Sequence, residues 1–156
     1  MKKGFTLVEL IIVFGLMIAI SAVAFAILAT RKVNTDLTST TQQIATLLRQ
    51  AQSDAAEQEG DVPWGVHFSN ATNTPPFYAL FTTNYSTSTT VGNLYQLPST
   101  VAYRTSTLAS GATLDVIFSS ITGFSSVSTS IGFYLPKQSS AFSSTISIAS
   151  SGIVSY

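Results

Sequence analysis

Few side chains in this chain are able to do chemistry, and their spacing narrows the choices. His67 is the one histidine and Cys is absent. A thiolate nucleophile, a disulfide frame and a Cys- or poly-His metal site are therefore excluded. The acid nearest to His67 in sequence is Asp61. No Ser sits in a G-x-S-x-G turn, and no phosphate loop, dinucleotide fingerprint or metal-binding helix motif occurs. His67 reads as a structural histidine in a strand, and the chain as a non-enzyme without a cofactor. Asp54, Glu57, Glu59 and Asp61 form an acid cluster whose oxygens would suit calcium. They lack the regular spacing and tight glycine turn of a ligand loop, so they read as solvated surface with no metal.

Glu9 is the acid that composition does not explain. Lys2 and Lys3 open the chain, Glu9 follows, and no further charge appears before Arg31. Leu10–Thr30 is a run of 21 uncharged residues, LIIVFGLMIAISAVAFAILAT. As a helix it reaches about 30 Å, the thickness of a bilayer hydrocarbon core. Its Leu, Ile, Val and Phe side chains contribute on the order of −5 kcal/mol toward insertion. Three readings compete for this segment. A cleaved signal peptide would use Ala24-Phe25-Ala26 as its small-x-small site, but the run is too long and Glu9 is out of place. A plain single-span anchor leaves Glu9 unexplained. The third reading takes in the wording of the first ten residues.

Met1–Leu10 reads MKKGFTLVEL, a short basic leader ending in Gly4, then Phe5, then Glu9 as the fifth residue after the glycine. Directly before an apolar helix, this resembles the N-terminus of the type IV prepilins and type II secretion pseudopilins. The resemblance covers about the first 30 residues. It implies that a membrane aspartyl prepilin peptidase cuts after Gly4 and methylates the new N-terminus at Phe5. It also implies that Glu9 pairs with the N-terminus of a neighbouring subunit. The partners would be that peptidase, other pilin or pseudopilin subunits in a helical polymer, an inner-membrane assembly platform and membrane lipid. The location would be the bacterial cytoplasmic membrane, single-pass with the N-terminus cytoplasmic and the head exported, and then an extracellular or periplasmic filament. Physical chemistry supports Glu9 separately. A carboxylate beside hydrocarbon is costly unless partnered. Cleavage would create an ammonium at Phe5, four residues before Glu9 on one helix face, and a pair of this kind penalises wrong offsets between subunits.

Gly15, Ala19, Ala22, Ala26 and Ala29 recur every three or four residues. Such a stripe lets helices approach closely. Two readings stand: filament-core packing, or the ordinary alanine content of membrane helices. Many pilins carry a proline in this helix, whereas here the first Pro is Pro63, so any unwinding would have to begin at Gly15.

The elements that would carry these residues follow from periodicity. Val33, Leu37, Ile44, Leu48, Ala51 and Ala55 keep helical spacing, with Thr41 filling the gap, and Asp36, Gln42, Gln43, Arg49, Gln50 and Glu57 lie opposite. Thr38–Thr41 is a weak helix former, and Gly60 with Pro63 signals a stop. From Trp64 the texture turns to short β-prone runs: Trp64–Ser69, Phe77–Thr82, Asn93–Leu97, Val101–Arg104, Thr113–Phe118, Ile131–Leu135, Thr145–Ala149 and Ile153–Tyr156. The expected architecture is α+β, one long N-terminal helix packed on a mainly antiparallel β head. Its parts are a leader 1–4, a transmembrane or filament-core helix 5–30, an amphipathic half 31–59 and an exported β head 60–156. Trp64-Gly65-Val66-His67-Phe68 after the helix, with the closing pair Thr145–Tyr156, resembles the H-type minor pseudopilins. The absent Cys removes the disulfide of many major pilins and leans toward a minor subunit.

Charged residues are only 9% of the 156, with net charge zero, while Ser and Thr number 23 and 21. This composition lacks the basic surface of a phosphate-reading nucleic-acid binder and the high net charge of a disordered chain. The Ser/Thr-rich stretches 86–90 and 119–130 read as exposed edges and loops, or as a glycosylated or adhesive surface. Two function classes remain. One is a structural pilin or pseudopilin subunit. The other is a single-span anchored, exported ligand-binding or adhesive domain that does not polymerise.

Overall fold

The structure, a computed structural model, describes residues 6–138 and 142–156, and for 26–30 the backbone alone. Its first element is one α-helix, α1 (Leu7–Ala56). Thr6 caps the start, its Oγ1 accepting the Glu9 N–H at 3.3 Å. The Thr38–Thr41 stretch does not break the helix. Its hydroxyls bond back along it: Ser39 donates to the Asp36 carbonyl and Thr41 to that of Leu37. Thr40 and Thr41 are also buried, so packing overrides their weak propensity. The end comes slightly before the expected Gly60. Gln58 turns left-handed at φ 59°, and a single 3-10 turn, Glu59–Asp61, follows.

The chain divides into two compact units, Met1–Thr35 and Asp36–Tyr156. In the first, α1 exposes thirteen large apolar side chains between Leu7 and Phe25, from Leu7 at 76% to Val13 at 48%. This stretch is long and apolar enough to cross a membrane.

The second unit holds the rest of α1 and eight antiparallel strands. These are β1 (Trp64–Ser69), β2 (Phe77–Thr82), β3 (Thr90–Gln96), β4 (Ala102–Tyr103), β5 (Thr113–Phe118), β6 (Thr129–Tyr134), β7 (Ser143–Ile148) and β8 (Val154–Ser155). They form two four-stranded sheets, ordered β3-β2-β1-β5 and β4-β6-β7-β8, a partition that reading strand by strand does not contain. The N-terminal helix with antiparallel β structure matches the α+β expectation.

Core formation explains the α1 pattern. Leu37, Ile44, Leu48, Ala51 and Ala55 are buried as the stripe requires, and so are Ala45 and Leu47. The buried face is wider because α1 meets both sheets. Gln43 accepts from the Tyr78 hydroxyl of the first sheet, and Arg49 donates to the Val154 carbonyl of the second. Arg49 lies on the expected polar face, and its guanidinium sits 5.2 Å from the Tyr156 ring centre. The sheets meet each other at Tyr103. Its ring is edge-on to Phe68 at 6.4 Å, and its hydroxyl donates to the Phe77 carbonyl at 3.0 Å.

Burial pushes the Tyr103 phenol far above its ordinary value of 10, and the nearby Tyr78 adds to this. A group raised in the folded state contributes stability that is complete below its unfolded value and is lost as pH rises through the folded one. The fold should therefore weaken above pH 10. Tyr103→Phe should cost about 1 kcal/mol at neutral pH, the worth of one hydrogen bond, and should make the alkaline decline shallower. Urea midpoints measured from pH 7 to 11 check both.

Candidate functional site

Two clusters hold the residues singled out from sequence. The first is the start of α1. Thr6-Leu7-Val8-Glu9 is a capping sequence, a signal legible in the chain beside the charge of Glu9. It places Glu9 in the first turn, where the helix dipole favours an acid. Glu9 is exposed. Gly15, Ala19 and Ala22 lie exposed within α1, and no atom comes within 4 Å of where a Gly15 Cβ would stand. The helix passes Gly15 without interruption. Gly4 and Phe5 lie outside the described residues, as do the side chains of Ala26 and Ala29.

The second cluster surrounds His67 on the face of the first sheet turned away from α1. Register puts His67 opposite Ala79 on β2 and opposite Asp115 on β5. The His67 Nδ1 lies 2.5 Å from Asp115 Oδ1. The partner is thus 48 residues away across a strand pair rather than the sequence neighbour Asp61. Alternation of Leu114, Val116 and Phe118 could have shown that Asp115 points to the opposite face, but not that β5 pairs with β1. The Tyr85 ring stacks flat on His67 at 3.5 Å and 3°, and meets Phe81 edge-on at 5.8 Å. Tyr85 sits in a loop whose hydroxyls are spent internally. Thr89 Oγ1 accepts from the Ser86 N–H, and Thr90 Oγ1 donates to the Ser86 carbonyl. Beneath the loop, Gly65 admits Phe81: a Cβ there would come within 2.7 Å of the Val116 carbonyl and 2.8 Å of the Phe81 ring.

His67 is buried, and the Asp115 side chain is 41% exposed. Burial, then the Asp115 charge, raises the Tyr85 phenol above its ordinary range. A His–carboxylate pair can orient an imidazole for base catalysis. Among the described residues no Ser or Thr hydroxyl bonds to His67, and the stacked Tyr85 ties the 83–89 loop to the sheet at this pair.

No family model, curated protein or solved structure matches the chain.

The acids Asp54, Glu57, Glu59 and Asp61 close the helix. Asp54 is raised from the ordinary carboxyl value, by burial and then by Glu57. Among the described residues no group of three or more His, Asp or Glu is placed to hold a metal. In the Ser-rich 119–130 stretch, Ser125 is buried and donates to the Val127 carbonyl, while Ser126 accepts from the Ile117 N–H.

Asp115→Asn should leave the sheet intact and loosen the 83–89 loop, at a cost of about 1 kcal/mol given the partly exposed carboxylate. Faster amide exchange at Ser86 and Thr89, with unchanged exchange at Val66 and Phe68, is the expected pattern. Equal acceleration at both would contradict the pinning role.

Proposed function

We propose that the chain is a structural subunit of pilin or pseudopilin type, non-enzymatic, held in a membrane by α1 and then assembled with like subunits through that helix. The observation that carries this reading is the uncovered apolar surface from Leu7 to Phe25. Thirteen large side chains, 48–76% exposed, at about 1.5–3 kcal/mol each for full burial, represent on the order of 10–25 kcal/mol of burial that the chain leaves unmade. Lipid or neighbouring helices have to supply it. Gly15 adds to the argument. In a helix interior it costs about 1 kcal/mol relative to Ala, and nothing within the chain needs the space it leaves. A neighbouring helix would.

The leader-like MKKGF start and Glu9 refine the proposal. Prepilin peptidase would cut after Gly4 and methylate Phe5. Glu9 would then pair with that N-terminus on the next subunit, while Gly15, Ala19, Ala22 and Ala26 let the helices close. The assembly platform would act on this segment at the cytoplasmic membrane, and the unit Asp36–Tyr156 would decorate an extracellular or periplasmic filament.

Two measurements test this. Co-expression with a prepilin peptidase should shorten the chain by four residues and leave an N-methylated Phe5 in the mass spectrum. An unprocessed start, or cleavage near Ala26, would refute it and return the chain to the class of anchored, non-polymerising domains. Glu9→Val should insert into membranes as the parent does yet drop out of filaments by at least tenfold. Normal incorporation of this variant would remove the pairing role.

A further inference from the structure

We propose that the groove between α1 and the β2–β3 edge of the first sheet binds a neutral saccharide, through the stacked Tyr78–Tyr95 pair and the glutamines facing it. The groove encloses about 400 Å³. This lies within the roughly 300–1,000 Å³ of small-ligand clefts and gives room for a mono- or disaccharide. One wall is aromatic. Tyr78 and Tyr95 are cross-strand partners, with ring centres 5.4 Å apart and planes 15° from parallel. Tyr78 is buried behind, while Tyr95 is 42% exposed. The apolar C–H face of a sugar ring packs on such a surface, whose face is negative and whose area is large.

The opposite wall is the α1 face carrying Gln42, Gln43 and Gln50. The hydroxyl of Tyr78 donates to Gln43 Oε1 at 3.4 Å, which leaves the Gln43 amide NH₂ as a donor. Gln50 adds a second amide, with an acceptor oxygen of its own. The hydroxyls of Ser39 and Thr46 are turned inward, donating to the Asp36 and Gln42 carbonyls. The groove thus presents amides of opposite polarity beside an aromatic floor, which is what alternating sugar hydroxyls and C–H groups require.

Charge decides the class of sugar. No lining residue is ionic. Arg49 is committed to Val154 and Tyr156, and Asp36 to the Thr100 hydroxyl. The next charge along the helix is Asp54, four residues beyond Gln50, and an acid there disfavours acidic sugars.

The test uses the full chain in lipid nanodiscs, free of sugar-headed detergent, so its outcome does not depend on leader cleavage. Saturation-transfer difference NMR is recorded with lactose, maltose, N,N′-diacetylchitobiose and the anionic 3′-sialyllactose. The expected result is transfer to the C–H protons of at least one neutral disaccharide and tenfold weaker or no transfer to the sialylated one. Tyr95→Ala should lower affinity for the neutral sugar at least tenfold, and Tyr95→Phe should keep it. Should Tyr95→Ala fail to fold, Gln43→Ala and Gln50→Ala on the exposed helix face carry the same test, each with a loss of at least threefold. Absence of transfer from every neutral sugar, preference for the anionic one, or affinity unmoved by these variants overturns the proposal. Altered self-association of Tyr95→Ala without any saccharide signal also overturns it, and marks the groove as a contact between copies.

Discussion

The apolar surface between Leu7 and Phe25 is the constraint on which the molecule depends. Every large side chain there stands open, whereas thirty residues further on the same helix buries Ile44, Leu48 and Ala51 completely. One continuous α-helix therefore presents two different surfaces. Over its first part it is apolar on all sides, which suits an environment that is itself apolar. Over its second part it is one-sided and is solved by the protein's own sheets. Helix propensity does not separate the two parts; the source of the covering surface does.

The scarcity of charge shapes the unit Asp36–Tyr156 in turn. With 9% charged residues, ion pairs cannot organise its surface, and hydroxyl and amide groups take over. Ser39 and Thr41 bond back into α1, Ser86 and Thr89 build the turn that carries Tyr85, and Ser125 holds the chain at Val127. Short side-chain-to-backbone bonds of this kind suit loops and helix ends, where backbone groups would otherwise lack partners. The Ser and Thr content is thus partly structural. A composition that suggests an adhesive or modified surface also supplies the hydrogen bonds of a fold poor in salt bridges.

What could be read from sequence follows from locality. The strands Trp64–Ser69, Phe77–Thr82 and Thr113–Phe118 have the same bounds in both descriptions, because alternation and flanking turn residues are local signals. β3 begins at Thr90, three residues before the expected Asn93, and ends at Gln96, one before the expected Leu97, since its Gly92 at φ +77° and its exposed side chains dilute the alternation. Pairing was not legible. Which strands share a sheet is decided by pairings such as Val66 with Val116, and these depend on chain closure over dozens of residues. The His67–Asp115 pair escaped for the same reason. At the N-terminus the signals are local: Glu9 is an isolated acid, and it stands three residues after Thr6.

That spacing bears on how one residue can serve two purposes. The cap uses the backbone N–H of Glu9, bonded to Thr6 Oγ1. An intersubunit pair would use its side-chain carboxylate. The two demands fall on different atoms, so satisfying the first does not consume the second. The cap also fixes the first turn of α1 before any partner arrives, and with it the direction in which the Glu9 side chain leaves the helix. A carboxylate on an ordered first turn loses less freedom on pairing than one on a frayed end. The first turn sets the carboxylate beside the free N–H groups of the helix start, and in the apolar surroundings proposed above an unpartnered charge would be costly. On the proposed reading such an acid would be satisfied by a cation brought to it, which is the condition a register device has to meet.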